Sequence, residues 1–122
     1  MLGDVRDAWL FLTPEVERLA GPLIERLGGE GRRTQERIEG LVREGDAPAW
    51  FVYLRECRAL VEAAVAAGAD GEACALLAEV LLEQHLLAPG VPGLRAQDRG
   101  DAGEIARLRA VIERREPAWS SR

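Results

Sequence analysis

The chain has 122 residues, 48% apolar and 30% charged, with 16 basic against 21 acidic side chains and a net charge of −5. That length fits one domain, able to bury roughly two-thirds of its unfolded surface without metal or disulfide staples. The composition excludes a disordered chain, and the acidic balance argues against nucleic acid or an anionic membrane as the main partner.

Aromatics make up only 5% while Ala and Leu abound, which favours helix over sheet. Every basic residue is Arg, the mark of a GC-rich, bacterial coding bias. The charge is uneven: residues 1–91 carry 9 Arg against 16 acids, and residues 92–122 carry 7 Arg against 5 acids.

Val5, Ala8, Trp9 and Leu12 follow helical spacing and predict a first helix over 4–12. Thr13-Pro14 is expected to end it and to open a second, with Thr13 as N-cap and Pro14 at the first position. Val16, Leu19, Ala20, Leu23, Ile24 and Leu27 form the stripe of that second helix. Gly21-Pro22 predicts a kink or a break within it, and Gly28-Gly29 closes it.

Residues 32–44 predict a third, surface helix with a narrow stripe of Ile38, Leu41 and Val42 and Gly45 as its C-terminal cap. Asp46 and Pro48 then open the most apolar part of the chain. Residues 48–67 and 71–87 read as two long helices joined by the turn Gly68-Ala69-Asp70-Gly71, with Asp70 as N-cap. Their polar stripes are narrow: Arg55, Arg58 and Glu62 on the first, Glu72, Glu79 and Glu83 on the second. Runs of Ala on both sides of the turn would let the two helices approach closely.

Pro89 to Gly93 stops the hairpin and begins a connection of about ten residues or more, long by ordinary standards. Asp101 and Glu104 predict a capping pair for a last helix over 102–116, with Ile105, Leu108, Val111 and Ile112 facing inward. The expected fold is therefore an all-α, single-domain bundle of about five to six helices around a central apolar αα-hairpin (48–67, 71–87). The domain would span 1–116, with 117–122 as a C-terminal tail.

Chemistry is sparsely signalled. His85 is the only histidine, and on a regular helix Cys74 lies about 16 Å from it along the axis. Cys57 and Cys74 would be offset by about 10 Å across the hairpin, beyond disulfide reach, and are expected as separate buried thiols. No phosphate-binding glycine loop, nucleophile elbow or metal-ligand spacing occurs, so no catalytic residue, cofactor or metal is assigned. The N-terminus lacks a secretory signal and no apolar stretch is long enough to span a bilayer, so the expected location is the cytoplasm.

Ala64, Gly68, Cys74 and Leu77 resemble the spacing of helix-turn-helix DNA-binding units, a resemblance covering about 20 residues and shared by tight αα-hairpins in general. The would-be recognition helix, Gly71 to Gln84, contains no Arg and three Glu, the wrong charge for a DNA groove.

Two functions follow as expectations. The first is a small non-catalytic protein–protein interaction module, an adaptor, scaffold or regulatory subunit. It would bind a protein partner or a second copy, with neither nucleic acid nor membrane involved. Its contact residues would be Arg107, Arg109, Arg114, Arg115 and Trp119, beside apolar surface left by the hairpin. The alternative is a small-molecule-binding or catalytic bundle with a pocket near His85, Tyr53 and the 88–101 loop.

Overall fold

Among the residues described by the computed structural model, 5–87 and 101–114, the chain forms five α-helices and no strand. They are α1 (Val5–Leu27), α2 (Gly29–Glu44), α3 (Ala47–Ala66), α4 (Gly71–Leu87) and α5 (Asp101–Glu113). The fold is all-α, with α3 and α4 as the expected hairpin. No helix among the described residues is long and apolar enough to cross a membrane.

The expected boundary at Thr13-Pro14 is not there. Helix α1 runs unbroken with Pro14 and Pro22 inside it. Packing explains the difference. Trp9, Leu12, Val16, Ala20 and Leu23 keep three- and four-residue spacing straight through both prolines, and all are buried. One continuous helix seats that whole stripe, whereas a break at Thr13 would turn half of it away. Locally, the Thr13 hydroxyl donates to the Trp9 carbonyl at 2.8 Å. That bond lies in the turn in which Pro14 leaves a carbonyl without its usual donor, and it satisfies the hydroxyl within the helix.

The joint to α2 is a single residue, Gly28, at φ 63°, whose N–H donates to Ile24 O at 3.1 Å. Helix α2 starts at Gly29, three residues earlier than its apolar stripe predicts. Its buried residues are Gly31 and Thr34 rather than Ile38 and Leu41, which are only half-buried. Gly31 is demanded by contact: a Cβ there would meet Ile24 O at 2.4 Å.

The caps at the end of α2, both ends of α3 and the start of α4 fall where the sequence places them. Gly45, at φ 65°, ends α2 with its N–H on Leu41 O, and Asp46 accepts from the Ala49 N–H at 2.9 Å to start α3. After α3, Gly68 at φ 80° lets the Ala69 N–H reach Ala64 O at 2.9 Å and its own N–H reach Val65 O at 3.1 Å. This paired closure satisfies two of the last carbonyls of the helix. Asp70 then caps α4 through the Ala73 N–H at 2.9 Å.

Helix α3 is the hub and touches every other helix. Trp50, Tyr53, Leu54, Cys57, Leu60, Val61 and Ala64 are all buried along it. Cys74, Leu77, Ala78, Leu81 and His85 are buried on α4. The hairpin thus finds more cover than the narrow stripes of its neighbours suggest: its exposed large apolar side chains are Val52, Leu76 and Leu86. Trp9 stands edge-on to Trp50 at 5.2 Å and to Tyr53 at 4.9 Å, an arrangement aromatic quadrupoles favour.

Arginines fasten the outer helices to this hub. Arg26 of α1 donates from Nε and one terminal nitrogen to Ala67 O, at 3.1 and 2.7 Å, bringing a cation to the C-terminal end of α3. Arg37 of α2 pairs with Glu56 at 3.0 Å. Arg58 of α3 forks onto both carboxylate oxygens of Glu104 on α5 at 3.0 Å and reaches Glu62 at 2.8 Å. The Arg58 and Glu104 side chains are 13% and 12% exposed, so this pair is nearly desolvated. Burial works against the Arg58 charge, and its hydrogen bonds to the Glu104 and Glu62 carboxylates outweigh it, leaving its pKa raised. Glu104, expected as half of a capping pair, is instead the anchor of α5.

Two stability predictions follow. Glu104→Ala strips both bonds from a nearly buried guanidinium and should destabilise by about 1.5–3 kcal/mol, while Arg58→Met/Glu104→Leu should recover most of that loss. Denaturant unfolding of the single and double variants tests it; equal stability of Glu104→Ala and parent would remove the anchoring role. Gly31→Ala should destabilise by about 1–2 kcal/mol because backbone must move, whereas Gly40→Ala, with only the Arg43 side chain nearby, should stabilise by about 0.5–1 kcal/mol. Thermal melts of the two variants give opposite signs if the close approach is real.

Candidate functional site

Helices α1 and α2 are tightly apposed at Gly31, close to their joint. Farther away a groove of about 520 Å³ opens between them. Its α1 wall carries Thr13, Val16, Glu17, Ala20, Gly21 and Ile24, which recur at helical spacing along one edge of the buried stripe. Its α2 wall carries Gln35, Ile38, Glu39, Val42 and Arg43, and Tyr53 of α3 forms the floor. Val16, Ala20 and Tyr53 are buried, Ile24 and Ile38 half-buried, and Val42 is 36% exposed. The result is an apolar trough with polar lips.

The lips are charged unevenly. Glu17 stands eleven residues before Gly28 and Glu39 eleven after it, and each wall of the groove carries one of these carboxylates. Neither carboxylate has an ion-pair partner among the described residues, although Glu15 pairs with Arg18, Glu56 with Arg37 and Glu104 with Arg58. Arg43 lines the same groove, so its charged lining residues carry one negative charge in excess. Gly21 leaves a gap in the α1 wall: a Cβ built there meets nothing within 4 Å.

The floor holds no ionised group at neutral pH. Burial pushes the Tyr53 phenol well above its ordinary range, with Cys57 and Glu17 adding to the shift. Burial likewise raises the Cys57 thiol, and the hydrogen bond from Tyr53 only partly opposes it. Cys74 is raised by burial and then by Asp70. Both cysteines are free and buried, which suits packing rather than attack on a substrate.

The residues singled out from the sequence lie elsewhere. Arg107 of α5 and Arg114, the residue after its end, line a shallow depression with Glu62, Val65, Ala66, Ala110 and Val111. Arg107 approaches Glu62 at 3.7 Å. Arg109 is exposed but does not line that depression, and Arg115 and Trp119 lie outside the described residues. His85 is 2% exposed in the core, and Tyr53 belongs to the groove floor, so His85 and Tyr53 do not share either hollow. The 88–100 part of the predicted pocket lies outside the described residues. Among the described residues no three of His, Cys, Asp and Glu are grouped to hold a metal ion.

The groove itself escapes a reading of single helices, because each wall looks like the flank of an amphipathic stripe. Its one visible signal is surplus: Ile38 and Val42 on α2 and Ile24 on α1 exceed what a narrow contact between two helices can bury.

The buried thiols and phenol set an alkaline limit. The chain has no Lys, so above neutrality the titrating side chains are its two Cys and one Tyr. Their folded pKa values are raised, so the stability they contribute is complete below their unfolded values and is lost as pH rises. Above the ordinary thiol value of 9.0 the fold should weaken, by up to about 1.4 kcal/mol per pH unit for each group ionised only in the unfolded state. Urea midpoints at successive pH values should fall from there upward, and more shallowly in Cys57→Ala. A flat profile would show these groups to be solvated. No protein-family model, curated protein or solved structure matches this chain, so the functional reading rests on the groove's geometry and chemistry.

Proposed function

We propose that the chain is a small non-catalytic helical interaction module that docks a protein partner in the groove between α1 and α2, acting as an adaptor, scaffold or regulatory subunit. The single observation behind this is the groove: accessible Val42 above half-buried Ile24 and Ile38, over a neutral floor, with charged residues at the lips. Apolar surface framed by polar groups is the usual anatomy of a protein contact, where a few buried anchors supply most of the affinity and the rim excludes water. Two buried, unlinked thiols suit a reducing setting such as the cytoplasm.

A second contact region is favoured by the depression that Arg107 of α5 and Arg114 just after it line together. It would take an acidic partner or the acidic body of a second copy, and that association would weaken with salt. Arg109, Arg115 and Trp119 extend the same proposal to the rest of the last helix and the tail.

The test uses two surface variants of the full chain, Val42→Arg in the groove and Arg114→Glu just after α5. Both positions are exposed, so melting temperatures should match the parent. Captured partners from the native cell should be retained about tenfold less well by Val42→Arg, since a charge in the trough removes at least one anchor. Partners lost with Arg114→Glu alone would move the site to α5. Partners held equally by both variants would refute the groove.

A further inference from the structure

Taking the groove as the docking surface, we infer that its occupant is an amphipathic helix bearing basic side chains. The walls decide the conformation. Both are helices whose backbone groups are bonded internally, so an extended peptide lying between them would find almost no main-chain partners over an apolar floor. A helix arrives with its own backbone satisfied. The faces that line the trough are rows of side chains three and four apart, which accept the ridges of a third helix. From Thr13 to Ile24 the α1 wall extends about 16 Å, the length of about three helical turns.

The lips decide the charge. Glu17 on the α1 wall and Glu39 on the α2 wall line the groove without ion-pair partners among the described residues, and with Arg43 as the one cation of the lining they leave the groove net acidic. Cationic side chains on the occupant would pair with these carboxylates. Apolar side chains on the same helix, a turn apart, would enter the trough between Ile24 and Val42. The open space beside Gly21 leaves room for a bulky one.

Fluorescence anisotropy with two labelled synthetic peptides of one amphipathic design provides the test, one flanked by Arg and one by Glu. The parent chain should bind the Arg peptide saturably and more tightly than the Glu peptide, and added salt should narrow the difference. Glu17→Arg/Glu39→Arg should bind the Arg peptide about fivefold to tenfold more weakly and gain affinity for the Glu peptide. Gly21→Leu should block both, and Val42→Arg serves as the block from the other wall if Gly21→Leu melts below the parent. Equal binding of the two peptides, or indifference to the charge reversal, would overturn the basic character while leaving a groove that binds helices. Binding of neither peptide would overturn the inference, and the captured-partner comparison with Val42→Arg would still judge the groove on its own.

Discussion

Burial of α3 is the constraint on which the other elements depend. A helix in contact with every other helix has little face left for water, and its long buried row from Trp50 to Ala64 answers that demand. Because α3 is apolar on most sides, its neighbours can share one core around it. Any shift in its register would uncover several contacts at once, since each neighbour reads a different side of the same turns.

The polar ties onto α3 among the described residues are made by Arg, three of them within hydrogen-bond distance. Hydrophobic contact is tolerant of sliding, whereas a guanidinium fork fixes distance and orientation together. Arg26 marks the turn end of α3, Arg37 fixes α2 against its middle, and Arg58 holds α5. The Arg58–Glu104 pair matters most, because α5 follows the long 88–100 connection and has no short covalent link to position it. A nearly dry bidentate pair is costly to misplace, so it contributes specificity of docking even where its net stabilisation is modest.

The groove is a consequence of how α2 is seated. Its first turns, with Gly31 and Thr34, are drawn into the core, and there Gly31 lets the backbone touch Ile24. Its later turns carry Ile38, Leu41 and Val42, too few to close fully over α1 and α3. A helix pinned at one end and sparsely apolar at the other leaves a trough beside it. The trough keeps Tyr53 as its floor because the aromatic cluster with Trp9 and Trp50 holds that ring in place.

What the sequence determined alone were the features set within a few residues. The caps at Asp46 and Asp70, the glycine stops at Gly45 and Gly68, and the apolar hairpin all follow from local backbone chemistry and periodicity. Tertiary structure decided what local signals leave open or point the wrong way. Pro14 and Pro22 favour breaks by propensity, yet the continuous stripe from Trp9 to Leu23 gains more by being buried together than the helix loses at two prolines. Glu104 is suited to a helix start, yet Arg58, 46 residues earlier, takes both of its oxygens. The groove needs three helices at a fixed separation, which no window of sequence contains. Local preferences are worth a few tenths to a few kcal/mol, and burial against distant partners is what overrides them.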